Sequence, residues 1–225
     1  MIADFHTHTI FSDGELVPAE LIRRAIYSGI GAIAITDHAD FSNIEFNLSN
    51  IKKVCEKINE LHNKGGKNDS KFRVLPGVEI THVQPELIKD AVNLARKCGA
   101  LIVVVHGETL SEPVEKGTNL AALNEDIDIL AHPGFITEDE VLLAKKNGIY
   151  LELSYRKGHC LANGYVSGIA NRFGAGLIIS SDAHSPSDIL DETKYNNVGL
   201  GAGLTHVEIN KIKENTAALL KKYPI

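Results

Sequence analysis

The sequence predicts an α/β fold in which parallel strands and helices alternate around a barrel. Three observations carry this expectation. Short runs rich in Ile, Val and Leu, mostly without polar alternation, punctuate the chain, as strands buried on both faces do. Amphipathic segments with helix start and stop residues lie between them. Nearly every apolar run ends in a histidine or an acidic residue.

The strand-like runs are IADFH (2–6), GAIAITDH (31–38), RVLPGVEI (73–80), ALIVVVH (100–106), DIDILAH (126–132), IYLELS (149–154) and AGLIISSDAH (175–184). The first helix is expected over 17–29, with Pro18 in its first turn and Gly29 at its end. The second is expected over 48–66, with Ser49 as N-cap and Gly65 as stop. Segments 85–99 and 137–148 repeat the scheme, and Thr137 with Glu140 forms a capping-box pattern. A weaker helix follows over 164–174, and 205–223 closes the chain. The polar stretch 62–71 reads as a surface loop. Strand and helix thus alternate about seven times, which implies right-handed crossovers between parallel strands. That pattern fits a barrel or a doubly wound sheet. A site drawing on every strand end closes more easily in a barrel, where the C-terminal ends meet on one face, than along one edge of an open sheet.

Composition narrows the function. The 225 residues are 44% hydrophobic with a net charge of −6, as expected of one soluble globular domain spanning 1–225. A pI near 5.9 and the absence of Trp make long nucleic acid an unexpected partner. The three cysteines, Cys55, Cys98 and Cys160, form no CxxC, which argues against a disulfide framework or a thiolate zinc site. No apolar run approaches the ~18 residues of a membrane span, so a cytoplasmic protein is expected.

The ten histidines carry most of the functional information. His6 and His8 follow the first strand and His38 the second; Glu79 ends the third, His106 the fourth and His132 the fifth. Glu152 lies in the sixth, and Asp182 and His184 follow the seventh. Residues i and i+2 on a strand point the same way, so His6 and His8 can grip one ion, as can Asp182 and His184. Imidazole and carboxylate donors without thiolate suit Zn, Mn or Fe. Six histidines with Asp13, Glu79 and Asp182 exceed the needs of one ion and indicate two or three divalent ions. His62 and His206, on helix-like stretches, are expected to be solvated. His82 and His159, in loops near the same face, are candidates for touching substrate.

The ordered set of HxH, SDG, TDH, GVE, a strand-end His, AHP and SDAH over residues 4–184 resembles the polymerase and histidinol phosphatase (PHP) family. The resemblance implies a distorted seven-stranded (βα)7 TIM-like barrel, PHP-type, around a trinuclear metal site. It implies His6, His8, Glu79 and Asp182 on one ion and Glu79, His106 and His132 on a second. Asp13, His38 and His184 would hold a third, and Glu152 would lie near without ligating. The protein subunit of archaeal and eukaryotic RNase P shares the fold but lacks the full ligand set, which this chain keeps.

The expected activity is hydrolysis of a small phosphomonoester by a metal-activated hydroxide. Glu79, Asp182 and His184 are the expected catalytic positions, and Asp37 or Ser181 are candidates for orienting ligand histidines. Arg156, followed by Lys157 after the sixth strand, is the expected phosphate-binding cation. Phosphodiesterase or nuclease action on short oligonucleotides, or a non-catalytic scaffold, are the alternatives. Specificity is expected in loops 39–48, 107–120 and 155–164, with 107–119 as a candidate lid.

Overall fold

The computed structural model describes residues 1–64 and 72–223. Its strands are β1 (Ala3–Asp4), β2 (Ala32–Ile35), β3 (His38–Ala39), β4 (Arg73–Ile80), β5 (Ile102–His106), β6 (Ile129–Ala131), β7 (Tyr150–Ser154) and β8 (Leu177–Ser180). All pair in parallel in the order β1-β2-β4-β5-β6-β7-β8, with β3 continuing the β2 line beside β4. A bridge between Thr7 and Ala183 joins the first and last strand ends. There Asp182 N–H donates to His6 O and His8 N–H to Ala183 O, each at 2.9 Å. The result is the nearly closed, distorted TIM-like barrel the sequence predicts.

The strands alternate, and the two faces have different fates. Outward residues such as Ile33, Val78, Val103, Leu130, Leu153 and Ile179 pack against the helices. Inward residues Ala3, Phe5, Ala34, Leu75, Ile102, Val104, Ile129 and Ile178 fill the lower barrel, which Leu219 and Leu220 plug from below. The two-residue period then carries each inward face upward: Leu75 leads to Glu79, Ile102 to His106, and Ile178 to Asp182. An apolar floor and a polar top are thus built from the same strand faces.

The helices are α1 (Pro18–Tyr27), α2 (Ile44–Lys64), α3 (Ile88–Lys97), α4 (Thr118–Leu123), α5 (Glu138–Asn147), α6 (Asn163–Phe173), α7 (Glu192–Gly201) and α8 (His206–Lys222). The Thr137–Glu140 capping box is present at α5, and Thr205 with Glu208 makes another at α8. The second helix corrects the expectation. It starts at Ile44, so Ser49 is inside it, with its hydroxyl turned back to Phe46 O at 2.9 Å. The start is made by Asp40, whose carboxylate accepts from Ser42 N–H while its carbonyl accepts from Ile44 N–H. The predicted stop at Gly65 and most of the 62–71 loop lie outside the described residues. Residues 85–87 form a 3-10 turn before α3. Helices α4 and α7 had no expectation: α4 is short, and α7 carries two glycines and two asparagines that weaken its pattern.

Gly107 fixes the exit from β5. A Cβ there would stand 2.3 Å from Ala131 O and 2.9 Å from Pro133 Cα, both backbone atoms that cannot yield alone. Gly107→Ala is therefore expected to lower Tm by roughly 5–10 °C in a thermal melt. Among the described residues, no helix is long and apolar enough to cross a membrane.

Candidate metal centre

The polar top of the barrel gathers the strand-end residues. Glu79 is fully buried, with His6 Nε2 at 3.3 Å, His8 Nε2 and His132 Nε2 at 3.6 Å, and His38 Nδ1 at 2.7 Å. Asp182 faces it, 3.3 Å from His8 Nε2, 3.7 Å from His132 Nε2 and 3.8 Å from His6 Nε2. Toward solvent, Asp13 lies 3.0 Å from His184 and 3.5 Å from His38.

His38 and His184 meet carboxylates at hydrogen-bond distance, but the deepest donor atoms face one another without hydrogen-bonding. His6 Nε2, His8 Nε2, Glu79 Oε1 and both ring nitrogens of His132 are buried with no hydrogen-bond partner. Leaving so many polar atoms unsatisfied in one place is costly, and a native site does so when a partner belongs between them. Ligand atoms about 2.0–2.2 Å from a common ion lie roughly 3–3.6 Å apart. Most of the separations above fall in or close to that range, and the imidazole–carboxylate donors are those such ions take. The residues therefore fit divalent metal.

Donor atoms close enough to share an ion form distinct groups. His8, Asp13, His38 and His184 make one; His6, His8 and Asp182 another; His6, Glu79 and His132 a third. The i, i+2 pair His6 and His8 meets in one group, as its spacing predicts. The pair Asp182 and His184 falls in different groups, although His184 Nδ1 lies 3.4 Å from Asp182 Oδ1; Asp182 has left-handed backbone (φ 55°) and the strand period breaks there. His106 groups with His132 and His159, and separately with His82 and Glu112. Glu112 was not anticipated. It comes from the 107–117 loop, six residues past the end of β5 and outside any strand period, and only the fold brings it over the site.

Further acceptors hold the backs of the histidine rings. Glu152 Oε1 lies 2.8 Å from His6 Nδ1, and its other oxygen accepts from His132 N–H at 3.2 Å. Thr81 Oγ1 lies 2.7 Å from His38 Nδ1, Gly107 O 3.1 Å from His106 Nδ1, and Asp182 O 2.9 Å from His184 Nδ1. Each steadies its ring; Nε2 of His6 then faces Glu79, Nε2 of His184 faces Asp13 and Nε2 of His106 faces Glu112. Asp37 acts one step further out than expected. It accepts from Thr9 N–H, Thr9 Oγ1 and Ser12 Oγ, bracing the turn after His8. Ser181 meets no histidine ring; its hydroxyl donates to His6 O.

Charge is strongly organised. Burial opposes ionisation of Glu79, but His6 and His38 outweigh it and hold its carboxyl well below the usual range. Burial likewise opposes the Asp182 carboxylate, and His6, His159 and His8 reverse it. Burial disfavours the His6 imidazolium, yet Glu152, Glu79 and Asp182 raise its pKa well above the ordinary value. Burial pushes His8 down to about 3, and it lowers His132 as well.

Arg156 reaches the rim, its Nε 4.0 Å from Asp182 Oδ2, whereas Lys157 points to solvent. His82 and His159 both stand beside the centre, and a cleft lined by Asp13, His38, Ser42, Thr81, His82 and Glu112 opens above it. His206 is exposed and His62 half-buried on α2 against Phe72. Among the described residues, the non-glycines with left-handed backbone are His82, His132 and Asp182, all at this site.

Comparison with known proteins agrees with this architecture. An uncharacterized protein of Methanocaldococcus jannaschii, MJ1295, is 48% identical over 221 residues, covering 97% of this chain and 98% of its own. The fold is similar to a chain in the cryo-EM structure of an archaeal ribonuclease P with mature tRNA, with a TM-score of 0.69 and 19% identity, covering 96% of this chain and 89% of that one. It is also similar to histidinol phosphate phosphatase from Lactococcus lactis, solved with zinc, L-histidinol and phosphate. That TM-score is 0.62 at 17% identity, covering 91% of this chain and 94% of the other. The PHP domain model matches residues 4–159, a span that holds every strand end from His6 to Glu152, and the chain belongs to the PHP family.

Proposed function

We propose that this protein is a metal-dependent phosphoesterase that hydrolyses a small phosphomonoester. The observation that carries the proposal is the concentration of unpartnered, buried imidazole and carboxylate atoms on one barrel face, beneath an open cleft. The histidinol phosphate phosphatase with the same fold was solved with zinc and phosphate, which supports the same chemistry here. Two or three divalent ions, of Zn, Mn or Fe, would supply an acidified water and neutralise charge on the phosphate oxygens.

The residues that would hold the ions are His6, His8, Asp13, His38, Glu79, His106, His132, Asp182 and His184. Glu79 would be shared between ions, since imidazoles approach it from the His6, His38 and His132 sides. Asp182 would hold the opposite wall, and His184, with Asp13 beside it on the solvent side, would stand near the leaving alcohol. Arg156, about a third exposed, binds the phosphate from the rim, with His82 on the other side of the cleft.

The test uses p-nitrophenyl phosphate and its bis ester, assayed with Mn, Zn or no metal. Monoester turnover that disappears with chelator and in His132→Ala is the expected result. Preference for the bis ester would instead favour a phosphodiesterase or nuclease on short oligonucleotides. No turnover of either ester with any ion would leave the barrel as a scaffold. In the same assay Arg156→Ala is expected to raise KM about tenfold or more while bound metal stays constant, because one lost charged contact to phosphate costs about 1.5–3 kcal/mol. An unchanged KM removes Arg156 from the site.

A further inference from the structure

His159 stands apart from the nine ligand positions. It lies on the 3-10 turn His159–Ala162 after β7 and is only 6% exposed. Its Nδ1 is 3.0 Å from Asp182 Oδ2, and its Nε2 is 3.1 Å from Glu112 Oε1. Its ring centroid lies 4.0 Å from that of His132 and 5.6 Å from that of His106.

A substrate-contacting histidine needs an accessible nitrogen. Both nitrogens of His159 are already held by carboxylates. Its arrangement instead repeats that of the ligand histidines: one nitrogen on an outer acceptor, the other aimed inward. His6 does this with Glu152 behind it and Glu79 in front. In His159 the sense of the ring is reversed: one oxygen of Glu112 holds Nε2 while its other oxygen lies 3.2 Å from His106 Nε2 and from His82 Nε2, and Asp182 lies in front of Nδ1. The atoms in front of His159 are those that lack partners. His132 has neither ring nitrogen satisfied, and its Nε2 approaches the same Asp182 oxygen that His159 meets, at 3.7 Å. The donor atoms of His106, His132 and His159 converge as one buried group, whereas Glu79 groups with His6 and His132.

We propose that His159 is an additional metal ligand through Nδ1, joining His106 and His132 on one ion, and that Glu112 orients it from behind. Glu112 is delivered for this by a braced loop. Glu108 Oε1 accepts from Gly117 N–H at 2.8 Å and Asn119 N–H at 3.1 Å, and Asn119 Oδ1 accepts from Glu108 N–H at 3.0 Å. Carboxylate behind imidazole is the usual support of a metal-bound histidine. The inference rests on the metal centre proposed above, and one experiment separates the two.

Wild type, His159→Ala, His159→Asn and Glu112→Gln are loaded with Zn or Co(II), desalted, checked by circular dichroism and assayed for metal per chain. His159→Ala is expected to hold about one ion fewer than wild type and to lose part of the Co(II) visible absorption. Glu112→Gln is expected to keep the count but release one ion to chelator about 10–100-fold more readily. If His159→Ala does not fold, the spectrum of His159→Asn and the release rate of Glu112→Gln carry the test. Full metal content, unchanged Co(II) absorption and raised KM for p-nitrophenyl phosphate in the His159 variants would overturn the assignment and make His159 a substrate residue. Wild type that binds no metal would overturn the centre and this ligand together.

Discussion

Glu79→Gln is expected to abolish phosphoester hydrolysis, lowering kcat/KM by at least about a thousandfold, roughly 4 kcal/mol of transition-state stabilisation. The substitution keeps shape and removes one charge. That charge is fully buried among His6, His8, His38 and His132, and imidazoles approach both of its oxygens. An amide can ligate weakly through oxygen only, and its NH2 group would face imidazole nitrogens. More than one ion per chain should therefore be lost, against about one for a peripheral ligand such as Asp13. The measurement is metal content alongside steady-state kinetics. A Glu79→Gln protein with full metal content and activity within tenfold of wild type would show that Glu79 does not bridge.

The second large effect concerns pH. In chelator, the metal-free protein is expected to be most stable near pH 6.5, with Tm falling on both sides. The sign follows from two sets of histidines. His8, lowered to about 3, and His132, also lowered, stay neutral when folded. Below the ordinary imidazole value of 6.5 the unfolded chain takes up protons that the folded site refuses, so stability falls with acid. Each such group costs about 1.4 kcal/mol per pH unit across that window. His6, His38 and His159 are raised: burial opposes their charge, but Glu152, Glu79 and Asp182 respectively outweigh it. Their contribution is complete below 6.5 and lost as pH rises through the folded values. Glu79 and Asp182, both depressed, add stability that fades only below the ordinary carboxylate range. With metal bound, the alkaline loss should vanish and the acid loss steepen, because ligation requires unprotonated imidazole. Tm measured from pH 4 to 9 with and without chelator tests this; a flat profile in chelator would contradict the assigned charge states.

The fold was legible because its signals are local. Runs such as ALIVVVH (100–106) have one period and one composition, and β5 (Ile102–His106) lies within it. Thr137 and Glu140 cap their helix through atoms three residues apart, and the box forms as written. Where a competing local device intervened, the reading slipped. Asp40 starts α2 four residues before Ile44, and Ser49 lost the role its identity suggested.

The centre divides along the same line. The sequence alone determined which residues end each strand, and in a parallel barrel those ends must meet. It could not determine which donors share an ion. Strict alternation from Ala131 would turn the next side chain outward; His132 turns inward because its backbone adopts φ 28°, a conformation its surroundings impose. Asp182 parts from His184 for the same kind of reason. Glu112, and the contact it makes with His159, a candidate from its loop position alone, were decided only by tertiary structure. The two residues come from loops, which have no period to read, and they meet through a contact 47 residues apart in sequence. Strand ends are placed by hydrogen-bonded register, which sequence pattern encodes. Loop side chains are placed by packing against everything else, which it does not.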